Sequence, residues 1–217
     1  MAITVSAAST DTNLTQVATV KTELGTTGSS DDAFFAQLIS EASDFIDSHT
    51  GRTLARQTYV ETMGSNGGLK LMTSHTPLVS ISSITDDGTS VSSTKYEIDS
   101  AEAGFIWKED GWRSTQLSVH YIESFRLHEG KRDWSVTYAA GYVMPGEGES
   151  TASTASRTLP YDLERACIDI VKTSYLRRYE DSRIKHQSVD ETFEILTDEA
   201  LSPSALRLLE RYRRIAV

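Results

Sequence analysis

Between Thr53 and Ala140 the apolar residues recur at every second position, while the stretches on either side repeat at helical spacing. Alternation places successive side chains on opposite faces of a strand, so the middle of the chain reads as antiparallel β-structure and its flanks as helices. Trp134, Val136 and Tyr138 alternate with Ser135 and Thr137, the pattern of a strand with one buried face. In Pro77-Leu-Val-Ser-Ile-Ser-Ser-Ile84, Val79 and Ile81 are expected to share a face, and Asp87-Gly88 then predicts a hairpin turn. Tyr96 with Ile98, Phe105 with Trp107, and Leu117 with Val119 and Tyr121 extend the series. Gly64, Gly67, Gly68, Gly88, Gly104 and Gly111 punctuate it at intervals too short for helices, leaving about six or seven short strands, enough for a small sheet or sandwich.

The flanks follow a different rule. Leu14, Val17, Val20 and Leu24 predict a short helix stopped at Gly25. A longer one runs from a Ser30-Asp31-Asp32 cap through Phe34, Phe35, Leu38, Ile39, Ala42, Phe45 and Ile46 to Gly51. After the Gly141-Tyr142 break and a soft loop from Pro145 to Arg157, Pro160 suits a first helical turn, with Asp162 and Glu164 favoured by the helix dipole. Leu163, Cys167, Ile170, Val171 and Ser174 then fall on one face. Both stripes need a partner, so Phe34, Leu38, Phe45, Leu163, Cys167, Ile170 and Val171 are expected to pack together. Ser202-Pro203 opens a last helix with Ala205, Leu208, Leu209 and Tyr212 on one side and Arg207, Arg211 and Arg214 on the other. Residues 1–11 read as polar and loose, and 180–200 as an acidic, sparsely anchored extended segment.

The resulting fold class is α+β: a helical bundle carrying an inserted small antiparallel sheet or sandwich and ending in an amphipathic helix. The whole chain, 1–217, is expected to form a single domain, with N-terminal helices over 12–51, the β insertion over 53–140, a central helix over 158–179, and an extended arm with the last helix over 180–217.

Charge and composition narrow the function. A net charge of -10 argues against generic nucleic-acid binding, whose affinity comes from Lys and Arg neutralising phosphates. The single cysteine, Cys167, excludes a disulfide framework and fits a reducing cytoplasm. No basic start with an apolar run opens the chain, and no stretch approaches the ~18 apolar residues that would span a bilayer, so secretion and a membrane location are not expected.

Candidate chemistry is sparse. His120, Glu123 and His128 are candidates for a metal trio by residue type, but on a strand Glu123 points away from both histidines, and they read as solvated sheet residues. The Gly64–Lys70 loop lacks the spacing and following helix of a phosphate cradle, and no GxSxG occurs. Neither a catalytic residue, a metal site nor a cofactor is expected. Arg207, Arg211 and Arg214 form either a wet helix face or a contact for an acidic partner.

The order of short motifs carries more information than any of them alone. A helix ending Ser48-His-Thr-Gly-Arg-Thr53 precedes Pro77-Leu-Val-Ser-Ile-Ser-Ser-Ile84 and Val136-Thr-Tyr-Ala-Ala-Gly-Tyr142. Leu159-Pro-Tyr-Asp-Leu-Glu-Arg-Ala166, a helix ending Tyr175-Leu-Arg-Arg178, and Leu209-Glu-Arg-Tyr-Arg213 follow. From Leu14 to Arg213 this succession resembles the head-tail connector family of tailed bacteriophages, also called adaptor or head-completion proteins. The resemblance implies a non-enzymatic virion protein at the head–tail interface, made in the bacterial host cytoplasm, that joins a homo-oligomeric ring of roughly twelve subunits under the portal protein. It also implies a stopper or tail-completion protein as the next component. Such a ring would enclose double-stranded DNA without sequence-specific binding, and an acidic channel wall would let the DNA slide. On this reading the region from Val189 onward is a portal-binding arm that orders on assembly, with Phe193, Ile195, Arg207, Leu208, Leu209, Arg211, Tyr212 and Arg214 as its contacts. The rival reading is a β-sandwich module binding cell-wall glycan or another polymer, which would require Trp107, Trp112 and Trp134 to line one groove.

Overall fold

The computed structural model describes residues 2–114, 134–147, 157–178, 186–189, 192–195 and 203–214, and is mixed α and β as expected. It divides into two compact units, one of Met1–Thr10 with Ala55–Tyr142, the other of Asp11–Leu54 with Val143–Val217.

The first unit holds strands β1 (Ala2–Ala7), β2 (Gln57–Met63), β3 (Lys70–Met72), β4 (Leu78–Asp86), β5 (Thr89–Ser90), β6 (Tyr96–Ser100), β7 (Phe105–Lys108) and β8 (Trp134–Ala140). They form a sheet in the order β1-β2-β8-β4-β5 and a smaller one in the order β3-β7-β6, with every neighbouring pair antiparallel. The alternation read at Trp134, Val136 and Tyr138 is realised in full, since all three side chains are buried along β8. The Asp87-Gly88 hairpin also forms, both residues taking positive φ (47° and 81°), which is the conformation a tight right-twisted turn demands. Gly141 has φ 107°, and a Cβ there would lie 2.7 Å from the Ala55 carbonyl oxygen, so the break after β8 tolerates no side chain.

Two sequence expectations fail in this unit. The first residues are not loose, because β1 pairs in register with β2 from Ala2↔Thr62 to Val5↔Tyr59. Nor do Val79 and Ile81 share a buried face. The β4–β8 register shifts twice, at Leu78/Ser80 and Ile81/Ser83, and each shift adds one residue to β4. The core-facing set therefore becomes Leu78, Ile81 and Ile84, and Val79 turns out to 48% exposure.

The second unit contains α1 (Val17–Leu24), α2 (Asp32–Thr50), α3 (Tyr161–Arg177), the antiparallel pair β9 (His186–Val189) and β10 (Thr192–Ile195), and α4 (Pro203–Tyr212). Helices α1 and α2 stop at Gly25 and Gly51 as read. Helix α3 packs against the other three, and its Leu163, Cys167 and Val171 are buried. The face that α2 buries is rotated from the expected one. Phe35, Leu38, Ile39 and Ile46 are buried, Phe34 and Ile170 only in part, and Phe45 is 42% exposed, stacked on His49 instead. The stripe was wider than one contact face, and periodicity does not say which half of a wide stripe meets a neighbour. Asp31 does not cap α2 either. Its carboxylate accepts a hydrogen bond from the Tyr175 hydroxyl at 2.9 Å and so ties the start of α2 to the end of α3.

Residues 115–133 carry the expected Leu117, Val119 and Tyr121 strand and the His120, Glu123 and His128 trio, all of which lie outside the described residues.

Candidate assembly surface

Helix α4 carries most of the residues marked out as contacts, and its own burial sorts them. Ala205 and Leu209 are 5% and 0% exposed, Leu206 and Leu208 are half-buried, and Arg207, Glu210 and Arg211 face outward. Tyr212 closes the helix by donating its hydroxyl to both carboxylate oxygens of Asp162, at 2.8 and 2.7 Å. Just beyond it the Arg214 amide donates to the Thr50 carbonyl at 2.8 Å, and Arg52 Nη1 reaches the Tyr212 carbonyl at 3.4 Å. Pro203–Tyr212 thus packs on α2 and α3 of its own unit.

Leu209 and Tyr212 accordingly serve the interior, while the side chains of Arg207, Arg211 and Arg214 stand exposed. Among the described residues neither Arg207 nor Arg211 has a carboxylate within ion-pair distance. Phe193 and Ile195 sit on β10 opposite Ser188 and His186 of β9, and their side chains lie outside the described residues.

Two buried polar clusters escaped the sequence. On β2, Glu61 is 0% exposed, and its carboxylate accepts hydrogen bonds from the Ser74 amide (3.0 Å), the Ser74 hydroxyl (2.5 Å) and the Tyr138 hydroxyl (2.6 Å). Burial, with the adjacent Glu61 carboxylate, pushes the Tyr138 hydroxyl far above the usual phenol range. The His75 ring stacks on Tyr59 with centroids 3.8 Å apart, and the Ser74 hydroxyl is spent on Glu61, so the group is a clamp rather than a nucleophile with its base. In the second unit Glu164 is 7% exposed between Arg157 (2.6 Å) and the Thr15 hydroxyl (3.1 Å). The local pattern around Glu61 hinted at this, since Tyr59, Glu61 and Met63 share the inward face of an alternating strand.

The three tryptophans do not line a groove. Trp112 and Trp134 are 1% and 2% exposed and meet edge-to-face at 5.0 Å, each indole N–H held by a main-chain carbonyl. Among the described residues no cluster of three metal-ligating side chains forms, and no helix is long and apolar enough to cross a membrane.

No curated protein sequence matches the chain. Among solved structures it is similar to a chain in the neck of an empty gene transfer agent particle with C6 symmetry, at a TM-score of 0.56 and 16% identity. The same holds for the neck of the native particle with C12 symmetry, at a TM-score of 0.55 and 16% identity. Both alignments cover 100% of this chain and 97% of the other, which establishes a shared fold. Residues 13–215 match the family described as head completion protein, from just before α1 to just beyond α4. With buried tryptophans, an internally anchored last helix and a family match over nearly its whole length, the chain belongs to the head completion protein family.

Proposed function

We propose that this protein is a head–tail connector: it assembles as a ring of about twelve copies beneath the portal once the head is filled, and offers the surface on which the next neck component docks. The observation that carries this reading is the family match over residues 13–215. Necks of C6 and C12 symmetry with the same fold support a ring. The protein acts structurally and not as an enzyme, is made in the host cytoplasm, and comes to rest in the virion neck. Its four helices form a small bundle, with α4 presenting an amphipathic face.

The portal contact is the exposed side of α4. Leu209 and Tyr212 hold the helix in place, which frees Arg207, Arg211 and Arg214 to meet acidic groups of the portal, with Leu208 at the margin and Phe193 and Ile195 contributed by β10. The net charge of -10 suits a channel through which DNA slides without being gripped.

Electron microscopy of the purified protein with and without its portal tests this. A ring stacked on the portal is expected, and a chain that neither rings nor binds portal overturns the reading. Replacing Arg207, Arg211 and Arg214 by Glu should leave the fold intact, weaken portal binding at least tenfold and flatten its dependence on salt.

A further inference from the structure

Among the described residues the larger sheet ends at β1 on one side and at β4 with the short β5 on the other. β1 lies at one end with all six residues exposed, although its main chain pairs with β2. Ile3 and Val5 stand opposite Glu61 and Tyr59, on the side of the sheet that is otherwise buried, yet they are 38% and 51% exposed. At the other end β5 covers only Thr85 and Asp86 of β4, and the Leu78 amide is taken by the Ala101 carbonyl. Between these, Val79–Ser83 has no strand beside it on its outer edge among the described residues.

Charge and proline are among the devices that keep a sheet edge single in solution. Ala-Ile-Thr-Val-Ser-Ala on β1 and Val-Ser-Ile-Ser-Ser on β4 contain neither. The polarity of the strands adds a second argument. Because β1, β2, β8 and β4 alternate in direction, β1 of one copy laid beside β4 of the next continues the antiparallel order without a fault. An odd number of strands would have forced a parallel junction. The two edges belong to different surfaces of the molecule, which is the heterologous arrangement that closes into a ring rather than a twofold dimer.

We propose that the subunits of the ring are joined by main-chain pairing of β1 from one copy with Val79–Ser83 of β4 from its neighbour, giving a sheet continuous around the ring. The partner is a second copy of this chain, and the inference rests on the ring reading given above. Its dimensions are consistent: four strands at ~4.8 Å advance each copy by about 19 Å, and about twelve copies close a belt roughly 70 Å across, wide enough to surround duplex DNA. Ile3 and Val5 gain cover from the neighbour's β4, which explains apolar side chains left uncovered on the core side of an edge strand.

Amide hydrogen exchange on the full chain, free and then assembled on portal, provides the test. Outward-facing amides within 2–7 and within 79–83 should both slow at least tenfold on assembly. Val5→Lys and Val79→Lys, each placing a charge on one edge, should each abolish rings while leaving the melting temperature of the free chain unchanged. A ring that forms with exchange unaltered at either edge, or rings formed by both variants, overturns the strand junction and leaves the connector reading standing. A wild-type chain that makes no ring on portal overturns both.

Discussion

The Tyr138 hydroxyl donates to the Glu61 carboxylate at 2.6 Å inside the first unit, joining β8 to β2 through two groups that are each 0% exposed. A buried carboxylate is tolerated only when donors replace its lost water, and here three do so. Removing one of them leaves the charge short of a partner. Tyr138→Phe is therefore expected to lower stability by about 1–3 kcal/mol, read as a lower urea midpoint at unchanged slope.

Arg157 and Glu164 make the corresponding pair in the second unit, with Glu164 9% and Arg157 21% exposed in their side chains. Arg157→Ala strands a buried carboxylate whose remaining donor among the described residues is the Thr15 hydroxyl, and should cost about 3–5 kcal/mol. Adding Glu164→Gln removes the stranded charge, so the double variant should recover much of the loss in the same unfolding experiment.

Phe35 and Phe45 separate the buried from the exposed half of the α2 stripe. Phe35 is 1% exposed, with its ring 4.8 Å from that of Tyr175, whereas Phe45 is 42% exposed. Phe35→Ala should cost about 3–5 kcal/mol and Phe45→Ala under about 1 kcal/mol. Equal losses in thermal melts of the two variants would show that the α2 face is assigned wrongly.

Asp47 gives stability a pH dependence. Burial raises its pKa from 3.8 to about 6, partly opposed by the hydrogen bond it accepts from the Leu54 amide and assisted by nearby Asp44. The folded state thus holds the proton more tightly than the unfolded chain. Its contribution is complete below pH 3.8, falls as pH rises through about 6, and is constant above that. Asp47→Asn keeps the acceptor and removes the titration. The variant should match wild type in melting temperature near pH 3.5 and exceed it at pH 8, and a difference that does not vary with pH would refute the assignment.

What could be read in the chain alone was local. The Asp87-Gly88 turn, the stops at Gly25 and Gly51, and the β8 alternation each depend on backbone preferences or side-chain period within a few residues, and each appears in place. The family, too, was legible, because it lies in the order of short motifs along the chain, from the helix ending at Thr50-Gly-Arg52 to the Leu159-Pro junction. The tertiary structure decided which surfaces meet. A period of two says that Val79 and Ile81 share a face only while the register holds, and two bulges against β8 break it. A wide apolar stripe does not say whether Phe35 or Phe45 lies inside. Glu61 and Glu164 are buried because donors distant in sequence, the Tyr138 and Thr15 hydroxyls, close over them. Leu209 looked like an anchor for a partner until α2 and α3 were seen to bury it. In each case the deciding contact joins segments far apart in the chain, and neither propensity nor periodicity, which act over one or two turns, carries information across that distance.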